Sequence, residues 1–235
     1  MSSSLNDPRI ARGMQAQLRS LRTRRDAGER QIGWKVGFGA PAAKQRAKID
    51  APLVGFLMQR AVLPSGASVS LRGWQKPVAE AEIAVHMDKD LPANSSHETV
   101  KAAIVALGPA IELADIDGPL DDVEGILAGD IFQRYVIIGP RDETRAGLRL
   151  DGLSARVNRS GKDIPVPADL ETNIGSIVET VRHVADVTAA LGEGLRAGQL
   201  IICGSLTAPL MLEPGEHGLD YTLDPVGAIS VHFSA

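Results

Sequence analysis

Residues 77–85 read Pro-Val-Ala-Glu-Ala-Glu-Ile-Ala-Val, an alternation that is typical of a β-strand. Side chains alternate between the two faces of a strand, so residues two apart share a face. Glu80 and Glu82 therefore lie on one face, while Ala81 and Ile83 face an apolar core. Two neighbouring carboxylates repel each other, so a pair held in a pocket needs a cation. Hard divalent ions such as Mg²⁺ or Mn²⁺ take oxygen ligands.

A third glutamate lies in a similar setting, in residues 110–115, which read Ala-Ile-Glu-Leu-Ala-Asp. Glu112 interrupts an otherwise apolar run, where an unpaired charge is costly. Three glutamates on two apolar strands predict a metal site formed by Glu80, Glu82 and Glu112.

A lysine stands among glycines and apolar residues in residues 31–39, which read Gln-Ile-Gly-Trp-Lys-Val-Gly-Phe-Gly. The pattern predicts a strand whose glycines permit close approach of a neighbouring backbone. One interpretation of Lys35 is a partly buried group with a depressed pKa and a catalytic role. The other is an exposed lysine at the end of a strand. The stretch contains neither of the glycine patterns that bind nucleotide phosphates.

Residues 198–207 predict a buried strand that runs into a small polar turn. Ser205 and Thr207 in this turn either hydrogen-bond a substrate carboxylate or serve ordinary turn chemistry. Cys203 in the middle of the strand is interpreted as a small core residue and not as a nucleophile.

Composition narrows the class of protein and the expected partners. The 235-residue chain has 25 basic and 29 acidic residues, a net charge of -4 and only 3% aromatic residues, which does not favour nucleic acid binding. It contains no apolar run of about 18 residues, so no membrane span is expected. The first residues lack the apolar core of a signal peptide. The single cysteine fits a reducing compartment, so we expect a cytoplasmic protein.

The secondary structure signals fit an α+β protein with a curved sheet or β-roll, because strands dominate the second half and regular βαβ repetition is missing. Asp7 followed by proline predicts a helix start. A second helix is expected over residues 94–108, and Asn173 is expected to cap the longest helix. Residues 1–70 are predicted to form a small N-terminal lobe and residues 71–235 a catalytic β-roll domain, unless the two are one continuous domain.

Several of these segments together resemble the 2-keto-4-pentenoate hydratase and 4-oxalocrotonate decarboxylase branch of the fumarylacetoacetate hydrolase superfamily. The similar segments are residues 33–37, 77–82, 110–115, 195–207 and 227–231. Their order and spacing, over roughly residues 30–233, carry the resemblance. It implies a mixed β-roll or barrel with a few flanking helices.

The resemblance also implies roles for individual residues. Glu80, Glu82 and Glu112 match the positions that hold a divalent metal, Mg²⁺ or Mn²⁺. Lys35 matches a lysine that acts near a small 2-keto acid substrate. The turn at Ser205 and Thr207 looks like the turn that binds the substrate carboxylate.

The chain departs from the family pattern beside this site. Family hydratases usually carry an acidic residue and a tyrosine before the glycine that matches Gly55, but Leu53 and Val54 stand there. That acid is a candidate proton carrier. An Asp-Asn pair expected before the strand at Val136 reads Gly-Asp at residues 129–130.

The implied activity is the hydration of 2-hydroxypenta-2,4-dienoate-type 2-keto acids in aromatic meta-cleavage catabolism, by a homo-oligomer, alone or associated with a related decarboxylase or hydratase. Three alternatives remain open. The first is a 2-keto acid decarboxylase of the 4-oxalocrotonate type, which uses the same enolate chemistry. The second is an acylpyruvate hydrolase with His86 as its base. The third is a non-catalytic partner subunit that retains the fold.

Overall fold

The computed structural model describes residues 3–234, and strands predominate among them. The helices are α1 (Pro8–Asp26), α2 (Pro41–Ala47), α3 (His97–Ala103), α4 (Val123–Ala128) and α5 (Ile177–Ala190). The strands are β1 (Gln31–Gly37), β2 (Leu53–Met58), β3 (Val62–Leu63), β4 (Ala67–Ser70), β5 (Pro77–Met87), β6 (Ile104–Asp115), β7 (Gln133–Ile138), β8 (Ser154–Arg159), β9 (Lys162–Ile164), β10 (Leu200–Ser205), β11 (Leu210–Met211), β12 (Gly218–Asp224) and β13 (Gly227–Ser234). Short 3-10 turns connect several of them.

The strands build two sheets of different size. The larger sheet has the order β2-β1-β10-β5-β6-β7-β3, with β11 paired to β5 outside this path. The smaller sheet has the order β4-β13-β12-β8-β9. Each sheet mixes parallel and antiparallel pairs, since β1 runs parallel to β10 and β13 parallel to β4. This mixed pairing, with few helices, confirms the predicted α+β class.

The ladder between β5 and β6 positions the candidate site. Its antiparallel register runs from Pro77 opposite Asp115 to Met87 opposite Ile104. One face of the ladder packs into the main apolar core, where Ile83 is fully buried. Because side chains alternate along both strands, the opposite face carries the glutamates of the two strands.

The structure confirms the predicted start of the first helix and corrects the extent of the second. Helix α1 begins as predicted, with the Asp7 side chain accepting the Arg9 backbone N–H at 2.9 Å and proline at the first helical position. The helix predicted over residues 94–108 is wrong beyond Ala103, where β6 begins. The apolar residues at its end suit either structure, and pairing with β5 satisfies their backbone hydrogen bonds as a strand.

The third predicted helix, α5, is displaced in sequence. It begins at Ile177 after Ser176 and not at Asn173, and at 14 residues it is shorter than the 19-residue α1. The Asn173 side chain instead donates a hydrogen bond to the Leu206 carbonyl at 2.7 Å. This contact ties the loop before α5 to the turn after β10. Within residues 3–234, no helix combines the length and the apolar character that crossing a membrane requires.

The N-terminal elements share the large sheet with the rest of the chain. Strand β1 pairs with both β2 and β10, and β10 pairs with β5. Hydrogen bonds therefore join residues 3–70 to residues 71–234 through a continuous sheet. The division into a lobe and a catalytic domain stays a prediction.

Candidate metal centre and active site

Three carboxylates converge on one face of the β5–β6 ladder. Glu80 lies directly opposite Glu112 in the register, and Glu82 is the next residue on the same face of β5. One carboxylate oxygen from each lies within 4.8 Å of the other two. Glu82 and Glu112 are 1% exposed, whereas Glu80 is partly exposed at the edge of the site. The geometry therefore brings together the three glutamates predicted from the sequence.

The electrostatics of this cluster favour a bound cation. Burial, together with the neighbouring Glu112 charge, raises the pKa of Glu80 to about 7. Burial and the other two carboxylates raise the pKa of Glu82 well above its usual value. Burial also raises the pKa of Glu112, although Lys35 opposes this effect. Three converging oxygen donors with excess negative charge fit a hard divalent cation such as Mg²⁺ or Mn²⁺.

Lys35 projects from β1 into the same space and is 2% exposed. Its ammonium group pairs with the Glu112 carboxylate and donates a second hydrogen bond to the Ile131 carbonyl at 3.2 Å. Burial lowers the pKa of Lys35, but the charges of Glu112, Asp130 and Glu80 outweigh that effect and raise it. The buried position agrees with the first interpretation, whereas the expected depressed pKa is wrong. Lys35 is therefore a fixed positive charge beside the carboxylates.

The polar turn after β10 reaches the carboxylates through one of its two predicted residues. Ser205 pairs with Glu82 across β10 and β5, and the backbone N–H of Gly204 donates to Glu82 Oε2 at 2.6 Å. The buried Ser205 hydroxyl has no hydrogen-bond partner among the described residues, so it is available to a ligand. The Thr207 hydroxyl instead donates to the Ala208 carbonyl at 2.9 Å. Its predicted role in substrate binding stays a prediction.

Asp130 is a member of this site that the sequence prediction missed. It lies in the turn between α4 and β7, and its Oδ1 accepts the Phe56 backbone N–H at 2.9 Å. Burial raises the pKa of Asp130 to about 8, although Lys35 opposes the effect. The only sequence signal is the departure from the family pattern at residues 129–130, which by itself does not identify an acid in the site.

The strand next to Lys35 contributes no titratable side chain. Strand β2 reads Leu-Val-Gly-Phe-Leu-Met and all six residues are buried. Leu53, at the position of the family acid, is 2% exposed and pairs with Gly37 of β1. Asp130 consequently supplies the carboxyl group that lies nearest to β2 in this site.

His86 lies outside the carboxylate cluster. It is four residues from Glu82 on β5, which corresponds to about 13 Å along a strand. Burial, assisted by the nearby Arg141 charge, lowers the pKa of His86 to about 4, so the imidazole is neutral.

Cys203 and His183 both lie in structural positions. Cys203 is 2% exposed in the core, and burial raises its pKa well above the usual value. His183 lies in an open cleft of about 860 Å³ beside α5, where its Nε2 contacts the Pro52 carbonyl at 2.9 Å. The residues that line this cleft include none of the predicted site residues.

Solved structures share this fold. The structure of 4-oxalocrotonate decarboxylase from Pseudomonas putida G7, complexed with magnesium and adipate, matches with a TM-score of 0.86 at 23% identity, covering 100% of this chain and 90% of that chain. Fumarylpyruvate hydrolase from Pseudomonas aeruginosa, in complex with Mn²⁺ and pyruvate, matches with a TM-score of 0.67 at 17% identity, covering 87% and 89% of the two chains. Both of those structures contain a divalent metal.

Related sequences point to the same group of enzymes. The 2-hydroxyhexa-2,4-dienoate hydratase of Comamonas testosteroni is 29% identical over 225 residues, which cover 92% of this chain and 83% of the relative. The 4-oxalocrotonate decarboxylase of Pseudomonas putida is 25% identical over 215 residues, which cover 90% and 81%. The family model described as fumarylacetoacetate (FAA) hydrolase C-terminal matches residues 26–233. This match spans most of the chain, so the protein belongs to the fumarylacetoacetate hydrolase family, as the sequence resemblance implied.

Proposed function

We propose that this protein is a divalent-metal-dependent hydro-lyase that hydrates 2-hydroxypenta-2,4-dienoate-type 2-keto acids. The observation that carries the proposal is the convergence of three carboxylate oxygens within 4.8 Å of one another, beside the buried Lys35. The hydratase relatives, which align over nine-tenths of this chain, supply the reaction class. The intact carboxylate cluster also argues against a non-catalytic partner subunit.

Glu80, Glu82 and Glu112 would hold the cation. When bound, a divalent cation would supply Lewis acidity that stabilises negative charge on a small keto acid. The chain's own groups orient the site around it. The Gly204 N–H fixes one oxygen of Glu82, and the ammonium of Lys35 fixes the Glu112 carboxylate while placing positive charge where negative charge develops on the substrate.

The buried Ser205 hydroxyl adds a neutral hydrogen-bonding group to this arrangement. It lies next to Glu82 and has no partner among the described residues, and a buried hydroxyl usually has one. A substrate carboxylate placed beside the carboxylate cluster would satisfy it. Ser205 therefore serves substrate orientation in this proposal.

Decarboxylation of a 2-keto acid of the 4-oxalocrotonate type is the second candidate. Two observations favour it. Decarboxylase relatives align almost as well as the hydratases, and β2 lacks a proton-carrying side chain at Leu53. Both reactions pass through an enolate, which the same carboxylate cluster and Lys35 would support. Product analysis therefore has to separate them.

Hydrolysis of an acylpyruvate receives less support. It needs a general base close to the reacting carbonyl, because proton transfer requires hydrogen-bond reach. His86 lies about 13 Å along β5 from Glu82 and packs opposite Ala106. That distance places it outside reach of a substrate held at the carboxylates.

We also propose that the protein works in the cytoplasm as a homo-oligomer. Its single cysteine, which is buried, fits a reducing compartment. Light scattering of the purified protein tests the oligomeric state, and a mass equal to one 24.8 kDa chain would contradict it.

The test of the proposed function starts from protein stripped of metal with a chelator. The stripped protein is mixed with 2-hydroxypenta-2,4-dienoate or with 4-oxalocrotonate, with and without Mg²⁺ or Mn²⁺, and the products are identified by NMR. We expect metal-dependent formation of the hydrated 4-hydroxy-2-oxo acid. Carbon dioxide released from 4-oxalocrotonate without hydration of the dienoate would favour the decarboxylase.

The matched variants are Glu82→Gln and Glu98→Gln. Glu82→Gln removes one charge from the cluster with little change in shape and should abolish turnover of the dienoate. Glu98 lies on α3 with a side chain 87% exposed, so Glu98→Gln should retain the wild-type rate. Unchanged turnover in Glu82→Gln would contradict the proposed metal site.

A further inference from the structure

Asp130 and Lys35 fill one small space above Gly55. A Cβ atom added to Gly55 would lie 2.8 Å from Asp130 Oδ1 and 2.8 Å from Lys35 Cγ. Asp130 Oδ1 and Lys35 Cγ therefore lie at most 5.6 Å apart, twice the distance of either atom from that Cβ. Since Lys35 reaches on to Glu112, the Asp130 carboxyl borders the carboxylate cluster from the side of β2.

The turn that carries Asp130 has an unusual backbone. Asp130, Ile131 and Phe132 have φ angles of 56°, 54° and 62°, so three consecutive residues other than glycine are left-handed. This conformation is unfavourable for residues with a Cβ, above all for the β-branched Ile131. Strained backbone persists only where its surroundings fix it, and such positions cluster at functional sites.

The surroundings of this turn do fix it. The Phe56 N–H binds Asp130 Oδ1, and the Lys35 ammonium binds the Ile131 carbonyl. Gly37 makes room for the Ile131 side chain, because a Cβ there would lie 2.8 Å from Ile131 Cγ2. Two glycines on adjacent strands thus accommodate consecutive residues of one strained turn. This arrangement holds Asp130 Oδ1 at the Phe56 N–H, beside the side chain of Lys35.

Few other charges face Asp130. The charged groups that affect it are Lys35 on β1, Glu112 on β6 and Arg24 on α1. Glu112 is committed to the cluster and to Lys35, and Lys35 is held as an ammonium. Among the described residues, Asp130 is therefore the one carboxyl beside Lys35 that belongs neither to the glutamate cluster nor to an ion pair.

We propose that Asp130 is the proton carrier of the hydration reaction, delivered by this left-handed turn in place of an acid on β2. The inference rests on the proposed function. After the dienol has become the conjugated keto acid, Asp130 in its ionised form takes a proton from water as the water oxygen bonds to C4. This form is the minor one at neutral pH and the major one above about pH 8, because burial raises the pKa of Asp130 to about 8. The C3–C4 electron pair shifts to form the enolate. Asp130 then returns the proton to C3 as the carbonyl re-forms, so one water is added and the carboxylate is regenerated.

The experiment compares wild type with Asp130→Asn and Asp130→Glu. Asparagine keeps an oxygen for the Phe56 N–H but cannot carry the proton, so hydration should slow by about 10²–10⁴-fold, the usual contribution of general acid–base catalysis. Asp130→Glu should regain part of the rate and the pH dependence that Asp130→Asn loses. Asp121→Asn, at an exposed position before α4, is the matched control and should keep the wild-type rate and pH profile.

Two further measurements distinguish proton transfer from a structural role. Mn²⁺ affinity, measured by calorimetry, should be the same within a few fold in Asp130→Asn and wild type. Circular dichroism should show equal folding. If wild type hydrates the dienoate and Asp130→Asn does so at the same rate, the proposed role of Asp130 is wrong while the proposed function stands. Parallel loss of Mn²⁺ affinity and folded signal also overturns that role, because the turn would then be only structural. Absence of dienoate hydration by metal-loaded wild type overturns the proposed function as well.

Discussion

Replacing Lys35 with methionine should destabilise the metal-free protein strongly. Methionine is unbranched and of similar length, so the change removes the charge while largely preserving the packing. The Lys35 and Glu112 side chains are 2% and 1% exposed, so the variant leaves a buried carboxylate without its partner. Removing one partner of a buried ion pair costs about 3–5 kcal/mol. For a chain of this size, that corresponds to a fall in melting temperature of about 6–20 °C.

The assay is urea unfolding followed by circular dichroism, after removal of metal with a chelator. The loss should be smaller at pH 5 than at pH 8, because Glu112 can then bind a proton in place of its lost partner. Adding Mg²⁺ should stabilise Lys35→Met more than wild type, since the ammonium no longer repels the cation. A ligand at 100 times its dissociation constant adds about 2.7 kcal/mol to the free energy of unfolding.

Lys162→Met serves as the control, because Lys162 is an exposed residue of β9. Exposed substitutions usually change stability by less than about 0.5 kcal/mol. A loss below about 1 kcal/mol in Lys35→Met, with equal stabilisation of both proteins by Mg²⁺, would refute the argument that Lys35 neutralises the carboxylate cluster.

Three further predictions concern Gly55, Asp130 and His86. Gly55→Ala should lower the free energy of unfolding by about 1–3 kcal/mol and slow hydration more than this loss explains, because the new Cβ would lie 2.8 Å from atoms of Asp130 and Lys35. A hydration rate equal to that of wild type would contradict this packing. Asp130→Asn should gain stability relative to wild type as pH rises from 4 towards 8, by up to about 1.4 kcal/mol per pH unit. The reason is that Asp130 in folded wild type retains a proton that the same residue has lost in the unfolded chain. Parallel curves of unfolding free energy against pH, measured by urea unfolding, would contradict the raised pKa of Asp130. His86→Leu should retain metal-dependent turnover within about twofold and lose no stability, because it removes a buried Nε2 that has no hydrogen-bond partner among the described residues. A large loss of rate would favour the hydrolase hypothesis.

Local alternation was enough to predict the three converging carboxylates. The period of two in β5 placed Glu80 and Glu82 on one face, and an isolated glutamate in an apolar run marked Glu112 as their partner. The same local argument failed for residues 94–108. Their apolar residues suit a helix or a strand, and only pairing with β5 decides between them after Ala103.

The contribution of Asp130 could not be predicted from local patterns. It depends on a turn with left-handed backbone at three residues other than glycine, which propensity disfavours, and on contacts with strands more than seventy residues away. Gly37 and Gly55 were visible in the sequence, and the prediction of close backbone approach concerned the stretch that contains Gly37. Which segment approaches those glycines is a property of the tertiary fold.

The most direct test of the central claim is a crystal structure grown with Mn²⁺ and pyruvate, analysed for anomalous scattering from the metal. The account predicts one strong peak at about 2.0–2.3 Å from an oxygen of each of Glu80, Glu82 and Glu112. Pyruvate should lie on the open side of that peak, within hydrogen-bond reach of Ser205. A carboxylate cluster without a peak in crystals that hold Mn²⁺ elsewhere would contradict the account.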